Sequence, residues 1–280
     1  MSTKSYLYAI TAVLIWSTLA ILGSKLENVP SFLLVGVALS TSGILSTIKI
    51  KEWSVPKRTL LIGIGGIFGY HFLIFTAYKY SPVIEANLLN YLWPLLIVLL
   101  SPVIFPEYSL DTNHILGALL GLAGAGIIIT GGKISLEWKY LPGYFLAIGA
   151  ALIWAVYSLM SKKVSSFPTS AVGGFCMISG IFSLLFYLVS LNKGGFYIPD
   201  GSEWLYMFLL GLGPMGSAFF FWDMAMKEGD PRVIGSITYL TPLLSTFWLI
   251  LAGGKKLTLI SGFAMLLLIV GAYIGSRKKT

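Results

Sequence analysis

Charged side chains are scarce in this chain of 280 residues: 11% are Asp, Glu, Lys or Arg, whereas 56% are hydrophobic and the mean hydropathy is +0.85. These fractions are far from those of an ordinary soluble domain, so most of the protein surface is expected to face lipid. The net charge of +8 arises from Lys and Arg in short breaks between long apolar runs. That placement favours contact with anionic lipid headgroups over a nucleic-acid-binding face. We therefore expect the lipid bilayer as a partner and no nucleic acid.

Cysteine, histidine and arginine are also rare, which excludes several kinds of site. The single cysteine, Cys176, lies in an apolar run and cannot form an internal disulfide, and the two histidines are far apart in sequence. Neither a disulfide framework nor a metal or other cofactor is expected. No Gly-x-Ser-x-Gly motif or aspartate pair is present, which argues against an intramembrane enzyme. The three arginines, Arg58, Arg232 and Arg277, lie at span edges, which disfavours strongly anionic substrates.

The apolar runs have the length of membrane-spanning helices, which need about 17 to 25 mostly apolar residues. We count ten such runs, with nine as the alternative count. The predicted spans are 6-25, 30-49, 59-78, 83-105, 114-131, 142-161, 170-191, 203-226, 232-252 and 257-276. The first run resembles the apolar part of a secretory signal peptide, but its sequence recurs later in the chain, so it is expected to be retained. The predicted fold class is an all-α membrane protein.

The distribution of Lys and Arg between alternate breaks predicts the orientation of the spans. With both termini cytoplasmic, twelve basic residues lie on the inner side and seven on the outer side, as the positive-inside rule requires. The inner ones are Lys4, Lys49, Lys51, Lys57, Arg58, Lys162, Lys163, Lys227, Arg232, Arg277, Lys278 and Lys279. The outer ones are Lys25, Lys79, Lys133, Lys139, Lys193, Lys255 and Lys256. We expect a multi-pass, monomeric protein of the prokaryotic cytoplasmic (inner) membrane.

The two halves of the chain are related in sequence. The segment AITAVLIWSTLAILGSK at 9-25 aligns without gaps with AIGAALIWAVYSLMSKK at 147-163. In the same order, NYLWPLL at 90-96 aligns with TYLTPLL at 238-244. Chance alignment of blocks in the same order is improbable, so the chain is expected to consist of two repeats.

These repeats are predicted at 1-138 and 139-280, with five helices each. An odd number of helices per repeat places the second repeat upside down in the membrane, which is the plan of many secondary transporters. Glycines four residues apart, such as Gly117 with Gly121, permit close approach of helices. We interpret that spacing as packing within one chain.

Pro94 and Pro242 fall near the middle of the fourth and ninth predicted spans, at matching positions of the repeats. Proline clashes with the carbonyl four residues earlier, so both spans are predicted to break and to free the carbonyls of Asn90 and Thr238. Matching breaks mark the substrate site in many transporters. We expect these carbonyls and the Asn90 side chain to receive a polar or cationic part of the substrate. The alternative is a packing kink compensated by neighbouring helices.

Polar and aromatic side chains cluster around these breaks. Trp16 and Trp154 fall halfway along their spans, where an indole N–H needs a partner, which favours a pocket-lining role over packing. His71 is either a structural histidine or a cavity-facing residue that acts as a gate or responds to protons. An aromatic lining suits a substrate with a flat apolar side chain and a polar end. The predicted substrate-binding residues are Trp16, Tyr70, His71, Tyr78, Asn90, Tyr91, Trp93, Trp154, Tyr157, Tyr239 and Thr241.

Two carboxylates, Glu85 and Asp223, fall inside predicted spans and near their ends. Pairing with nearby Lys79 or Lys227 is the simpler interpretation for both. Neither forms a central carboxylate relay of the kind that carries protons. The sequence therefore favours facilitated movement of substrate down a gradient over proton coupling.

The paired halves and these motifs resemble the drug/metabolite transporter superfamily, specifically its ten-helix EamA-type members, over essentially the whole chain. The segments FTAYKYSPVIEANLLNYLWPLL at 75-96 and FFWDMAMKEGDPRVIGSITYLTPLLST at 220-246 look like the corresponding segments of that family. NYLWP and TYLTP look like its branch of aromatic amino acid exporters. The resemblance implies cytoplasmic termini, a central cavity between the halves, and export of aromatic or other neutral amino acids. It also implies cavity roles for Trp16, Tyr70, His71, Tyr78, Tyr91, Trp93 and Trp154.

The leading hypothesis is an alternating-access exporter of amino acids. The aromatic side chain of the substrate is expected to stack on Trp93, Trp154 and Tyr91, while Asn90 and the freed carbonyls take its polar end. The alternative within transport is another small metabolite, such as a nucleotide sugar, or an organic cation. A channel is disfavoured because no ring of like residues is evident and because an inverted repeat favours a carrier.

Overall fold

The computed structural model describes residues 3–133, 136–164, 166–191, 195–251 and 258–276, and all regular secondary structure in these ranges is helical. Ten helices in them are long and apolar enough to cross a membrane. They are α1 (Thr3–Gly23), α2 (Ser31–Trp53), α3 (Lys57–Tyr80), α4 (Val83–Ile104), α5 (Thr112–Thr130), α6 (Trp138–Lys163), α7 (Ala171–Ser190), α8 (Gly201–Glu228), α9 (Pro231–Leu251) and α10 (Leu259–Ser276). The predicted fold class is confirmed. The predicted bounds at 252 and 257 lie outside the described residues.

The two faces of the molecule differ in the chain segments that they carry. An even number of spans returns the chain to the side on which it began, so Thr3 and Ser276 lie at what we call the terminal face. The opposite, far face carries the α1–α2 and α3–α4 connectors. The predicted boundary between 138 and 139 falls at the start of α6, which leaves five spans on each side of it. The predicted limits 1 and 280 lie outside the described residues, as do Lys193, Lys255, Lys256, Arg277, Lys278 and Lys279.

Glycines bring α5 and α10 into close contact. A Cβ atom added to Gly117 would lie 2.4 Å from the backbone nitrogen of Gly275, and one added to Gly271 would lie 2.7 Å from that of Gly121. No side chain larger than hydrogen fits at such an approach. The predicted role of these glycines in packing within the chain is therefore confirmed.

The helices α4 and α9 are each interrupted near the middle, as predicted from their prolines. α4 consists of Val83–Asn90 and Trp93–Ile104, and α9 consists of Pro231–Ile237 and Leu240–Leu251. The interruptions occupy matching places, because position n of α3 or α4 corresponds to position n+148 of α8 or α9 in the sequence alignment. The two repeats therefore share this irregularity.

Two further interruptions, in α1 and α8, were not predicted. α1 has a turn at Thr18, and α8 contains a π-helical turn at Gly213–Ser217. Pro214 removes one backbone donor from α8, and Gly211 and Gly216 come so close that a Cβ on Gly216 would clash with the Gly211 carbonyl. Single π-helical turns often accompany functional sites. The closely spaced Gly and Pro residues at 211–216 were the available sequence signal.

Candidate functional site

A cavity of about 840 Å³ lies between the two repeats. Its wall comes from α1 to α6, α8 and α9, and it reaches Glu27 in the α1–α2 connector and Val83 at the start of α4. Because both residues lie at the far face, the cavity opens there. The volume is in the range of about 300 to 1,000 Å³ that small-molecule sites occupy. Among the described lining residues, Glu27 has the only charged carboxylate, lysine or arginine side chain.

The structure brings nine of the eleven predicted substrate-binding residues into this wall, together with Pro242. They come from α1, α3, α4, α6 and α9, which are distant in sequence. The nine are Trp16, Tyr70, His71, Tyr78, Asn90, Tyr91, Trp93, Trp154 and Thr241.

Tyr157 and Tyr239 lie behind the wall instead of in it. Tyr157 is 4% exposed and packs on Trp154, with ring centroids 5.4 Å apart. Tyr239 is fully buried, and its hydroxyl donates to the carbonyl of Tyr91 at 3.3 Å. Both tyrosines therefore support lining residues from outside the cavity. A helix that is apolar all round does not reveal in its sequence which side faces a cavity.

The breaks in α4 and α9 border the cavity, but they do not free both predicted carbonyls. The Thr238 carbonyl accepts the N–H of Thr241 at 3.0 Å, so the prediction for Thr238 is wrong. The chain tightens there into an i to i+3 turn before Pro242, which replaces the hydrogen bond that proline removes. The role of the Asn90 carbonyl stays a prediction.

Five aromatic rings pack together at the end of the cavity nearest the terminal face, and we call them the aromatic floor. Neighbouring ring centroids lie 5.3 to 6.5 Å apart. These seven pairs are all tilted or edge-on, and aromatic quadrupoles favour such offset geometries over a face-to-face sandwich. The five are Trp16, Trp93, Trp154, Phe219 and Trp222.

The sequence interpretation missed Phe219 and Trp222 in this floor. They correspond in the repeat to His71 and Ile74 of α3, and the alignment of α3 with α8 was the signal that would have found them. Phe219 lines the cavity and Trp222 lies beneath it, 2% exposed. Trp16 donates from Nε1 to the carbonyl of Pro214 at 3.0 Å, which confirms that this mid-span indole has a partner. The π-helical turn of α8 presents that carbonyl.

Polar side chains also line the cavity, and Tyr70, Asn90 and Thr241 are three of them. Asn90 Nδ2 donates to the hydroxyl of Tyr70 at 3.1 Å. Asn90 Oδ1 and Thr241 Oγ1 are buried and have no hydrogen-bond partner within the part of the chain that the structure describes. Buried polar atoms are almost always paired in proteins. These two atoms are therefore the natural positions for polar groups of a bound molecule.

His71 is held by its own helix and faces the cavity, and its role as a gate stays a prediction. Its Nδ1 lies 2.7 Å from the carbonyl of Ile67. A carbonyl only accepts hydrogen bonds, so Nδ1 carries a proton. The ring is thus oriented by its own helix and also forms part of the cavity wall.

Comparison with known proteins places this architecture in a class. The model of the EamA-like transporter family matches residues 3–130 and 141–277, and the chain belongs to this family. It is a membrane protein of a family of small-molecule transporters.

Relatives within the family resemble the chain over nearly its whole length. It is 39% identical to the aromatic amino acid exporter YddG of Ancylobacter novellus, over 98% of this chain and 97% of that protein. It is 22% identical to the aromatic amino acid exporter YddG of Escherichia coli strain K12, over 87% and 86% of the two chains. A solved crystal structure superposes with a TM-score of 0.91 at 38% identity, covering 98% of this chain and 96% of the other.

Proposed function

We propose that this protein exports aromatic and other neutral amino acids across the cytoplasmic membrane by alternating access through the central cavity. The observation that carries the proposal is an aromatic floor in the same cavity as two polar atoms that have no hydrogen-bond partner among the described residues. A flat side chain stacks on Trp93 and Trp154, while an ammonium group donates to Asn90 Oδ1 and Thr241 Oγ1. The names of the two relatives support this substrate class.

The orientation in the membrane follows from the basic residues. The terminal face is cytoplasmic in our proposal, because it carries the larger share of Lys and Arg in the sequence and cytoplasmic loops are enriched in them. The far face then lies outside, and the cavity is open towards the side to which an exporter releases substrate. The protein acts as a monomer, because each chain contains both repeats and a complete cavity.

Organic cations are the second candidate substrates, and one observation favours them. Glu27 places a negative charge at the far-face mouth of the cavity. The faces of tryptophan rings attract cations by about 0.5 to 2 kcal/mol. A cation without a carboxylate would satisfy both features as well as an amino acid does.

The proposal is tested by counterflow into proteoliposomes. Vesicles preloaded with unlabelled phenylalanine, tryptophan, threonine, a quaternary ammonium compound or a sugar nucleotide receive the same compound in radiolabelled form. We expect saturable exchange of the amino acids, tightest for the aromatic ones. Exchange of the quaternary ammonium compound alone would reject amino acids as substrates and favour organic cations.

A pair of tryptophan variants shows whether the floor binds the substrate. Trp93→Ala removes a floor ring and should raise the half-saturating phenylalanine concentration about two- to tenfold, since aromatic pairs contribute about 0.5 to 1.5 kcal/mol beyond the area that they bury. Trp204→Ala removes a ring of α8 that is 38% exposed and stacks on Phe208, so it should leave exchange unchanged. Equal effects of both changes would contradict a substrate site at the floor.

A further inference from the structure

A buried carboxylate joins α6 and α8 at the terminal face. Asp223 is 1% exposed and accepts hydrogen bonds from the hydroxyls of Ser161 at 2.9 Å and Thr169 at 2.6 Å. It also pairs with Lys227 Nζ at 2.7 Å, which confirms the pairing predicted for Asp223. The carboxylate thus ties the end of α6 and the α6–α7 connector to α8.

Two lysines extend this connection to the backbone. Lys162 Nζ donates to the carbonyls of Met226 at 3.2 Å, Lys227 at 3.1 Å and Gly229 at 2.8 Å. Lys227 Nζ donates to the carbonyl of Phe167 at 2.9 Å and lies 3.6 Å from the centroid of its ring. The last carbonyls of a helix lack partners within the helix, and Lys162 supplies one for α8. We call Ser161, Lys162, Thr169, Asp223 and Lys227 the Asp223 cluster.

The inverted repeat provides a built-in comparison at the far face. Position n of α1 and its connector corresponds to n+138 in α6, so Ser161, Lys162 and Thr169 correspond to Gly23, Ser24 and Ser31. Asp223 and Lys227 correspond to Phe75 and Lys79. At the positions that correspond to the Asp223 cluster, the far face therefore has the lysine of α3 but neither a carboxylate nor a second lysine.

The contacts at the far face differ accordingly. Gly23, Ser31 and Phe75 line the open cavity. The α1–α2 and α3–α4 connectors are therefore apart, whereas the corresponding α6–α7 and α8–α9 connectors are joined. The Ser24 hydroxyl donates within its own helix to Ile21 at 2.8 Å. Lys79 Nζ lies 5.3 Å from the ring centroid of Phe32, a looser contact than that of Lys227 with Phe167.

The Asp223 cluster is also connected to the aromatic floor. Trp222 precedes Asp223 in α8, and its Nε1 donates to the Ser158 hydroxyl of α6 at 2.9 Å. Ser158 lies one turn before Lys162. The floor and the cluster therefore hold the same two helices together at successive depths. For a substrate to pass through the terminal face, the contacts between α6 and α8 must break both at the aromatic floor and at the Asp223 cluster.

We propose that the Asp223 cluster is the lock that keeps the terminal face closed, and that its absence from the far face makes the far-face-open state the resting state. The proposal rests on the alternating access proposed above. Removing the Asp223 carboxylate leaves the charge of its partner Lys227 uncompensated, and removing the Lys162 ammonium leaves carbonyls at the end of α8 without their donor. Breaking the cluster should therefore open the terminal face and allow the far face to close.

The test measures the width of both faces in the full-length protein by electron paramagnetic resonance of spin-label pairs. The background carries Cys176→Ser, so that the only reactive thiols are the introduced ones. One pair replaces Ser166 and Glu228 by cysteine at the terminal face. The other replaces Asn28 and Tyr80, which occupy the corresponding positions of the first repeat. All four residues are exposed, so the labels do not disturb packing.

Two variants break the lock and one serves as the matched control. Lys162→Met and Asp223→Asn should each increase the population with a long terminal-face distance at least about tenfold, with a matching gain of short far-face distances. Lys79→Met changes the lysine that corresponds to Lys227 and should leave both distributions unchanged. Size-exclusion chromatography and a melting curve establish that each variant is folded.

The outcomes separate the lock from the proposed function. Unchanged terminal-face distances in folded Lys162→Met and Asp223→Asn would overturn the lock. If neither variant folds, Ser161→Ala removes one hydroxyl and no charge, and an unchanged distribution in that variant overturns the lock equally. Distances that shift in a protein that exchanges no amino acid would retain the lock and reject the proposed substrate.

Discussion

The terminal face and the far face are built from corresponding segments, yet one is closed and the other is open. At the terminal face the α6–α7 and α8–α9 connectors are joined through Asp223 and Lys162. At the far face the corresponding positions hold Phe75 and Ser24, and the connectors border the cavity mouth. A nearly symmetric scaffold thus offers two closures, and a few polar side chains decide which one forms.

Other contacts are the same at both faces. At the far face, Gly143 at the start of α6 packs on Ser81, where an added Cβ would lie 2.4 Å from the serine Oγ. At the terminal face, Gly229 packs near Ser5 at the start of α1, where an added Cβ would lie 3.1 Å from the serine Cβ. Ser5 corresponds to Gly143, and Ser81 to Gly229. Contacts present at both the open and the closed face need not change when the faces exchange states.

Transplanting the lock should have the largest effect on this comparison. In the triple variant Gly23→Ser, Ser24→Lys and Phe75→Asp, the new carboxylate at position 75 lies four residues before Lys79, as Asp223 does before Lys227. Ion pairs at this spacing meet on one side of a helix. We expect the far-face label distance to shorten and amino acid exchange to fall more than about tenfold.

The transplant has a control at the same three positions. Gly23→Ala, Ser24→Ala and Phe75→Leu change the size of the side chains without adding polar groups. Shortening of the far-face distance in both triple variants would show that bulk, and not the polar cluster, closes that face. No shortening in either would show that the lock requires more than these residues.

Adding a methyl group to the shared contacts should have an intermediate effect. Gly143→Ala and Gly229→Ala would each place Cβ within 2.9 Å of backbone atoms, at Ser81 and Ala225 respectively. Overpacking of this kind costs about 1 to 3 kcal/mol. We expect lower melting temperatures in both variants without a change in the ratio of open to closed distances at either face.

The matched control for these variants is Gly65→Ala. Gly65 has no atom within 4 Å of an added Cβ, and alanine is favoured over glycine inside a helix by about 1 kcal/mol. Its melting temperature should stay the same or rise. A shift of the label distances in Gly143→Ala or Gly229→Ala would show that the shared contacts belong to the moving parts.

The sequence predicted the fold well because the bilayer imposes simple physical rules. Ten apolar runs of spanning length appear as ten helices. Pro94 and Pro242 predicted the breaks in α4 and α9, since proline disrupts a helix wherever it stands. The π-helical turn at Gly213–Ser217 was not predicted, because its geometry depends on the close approach of α8 to its neighbours as well as on Pro214.

The candidate site was only partly predictable. Most of the predicted aromatic residues near the breaks line the cavity. Tyr157 and Tyr239 instead lie behind the lining residues. The choice of side depends on helix rotation, which hydropathy does not fix when all sides are apolar. Asp223 was predicted to pair with Lys227, whereas Ser161 and Thr169 lie 62 and 54 residues away in sequence. Only the packing of α6 and its connector on α8 reveals them as partners.

The smallest expected effect concerns a second difference between the faces, at the first turn of α9. Asp230 accepts hydrogen bonds from the backbone and side-chain nitrogens of Arg232, whose guanidinium also donates to the Ser109 carbonyl. The corresponding far-face position is Pro82. Burial acts to raise the pKa of Asp230, but the hydrogen bonds from Arg232 outweigh it, so the pKa lies below its usual value.

A carboxyl group whose pKa is lower in the folded state stabilises the protein above its unfolded pKa of about 3.9, and this contribution is lost as the pH falls through the folded value. The melting temperature of the native protein should therefore exceed that of Asp230→Asn by a constant amount from about pH 8 to about pH 5, and the difference should shrink only below about pH 4. Asp200→Asn, at the exposed first turn of α8 on the far face, should change the melting temperature less. A difference for Asp230→Asn that already shrinks between pH 7 and pH 5 would mean that burial prevails over Arg232, and that the terminal face loosens in mild acid.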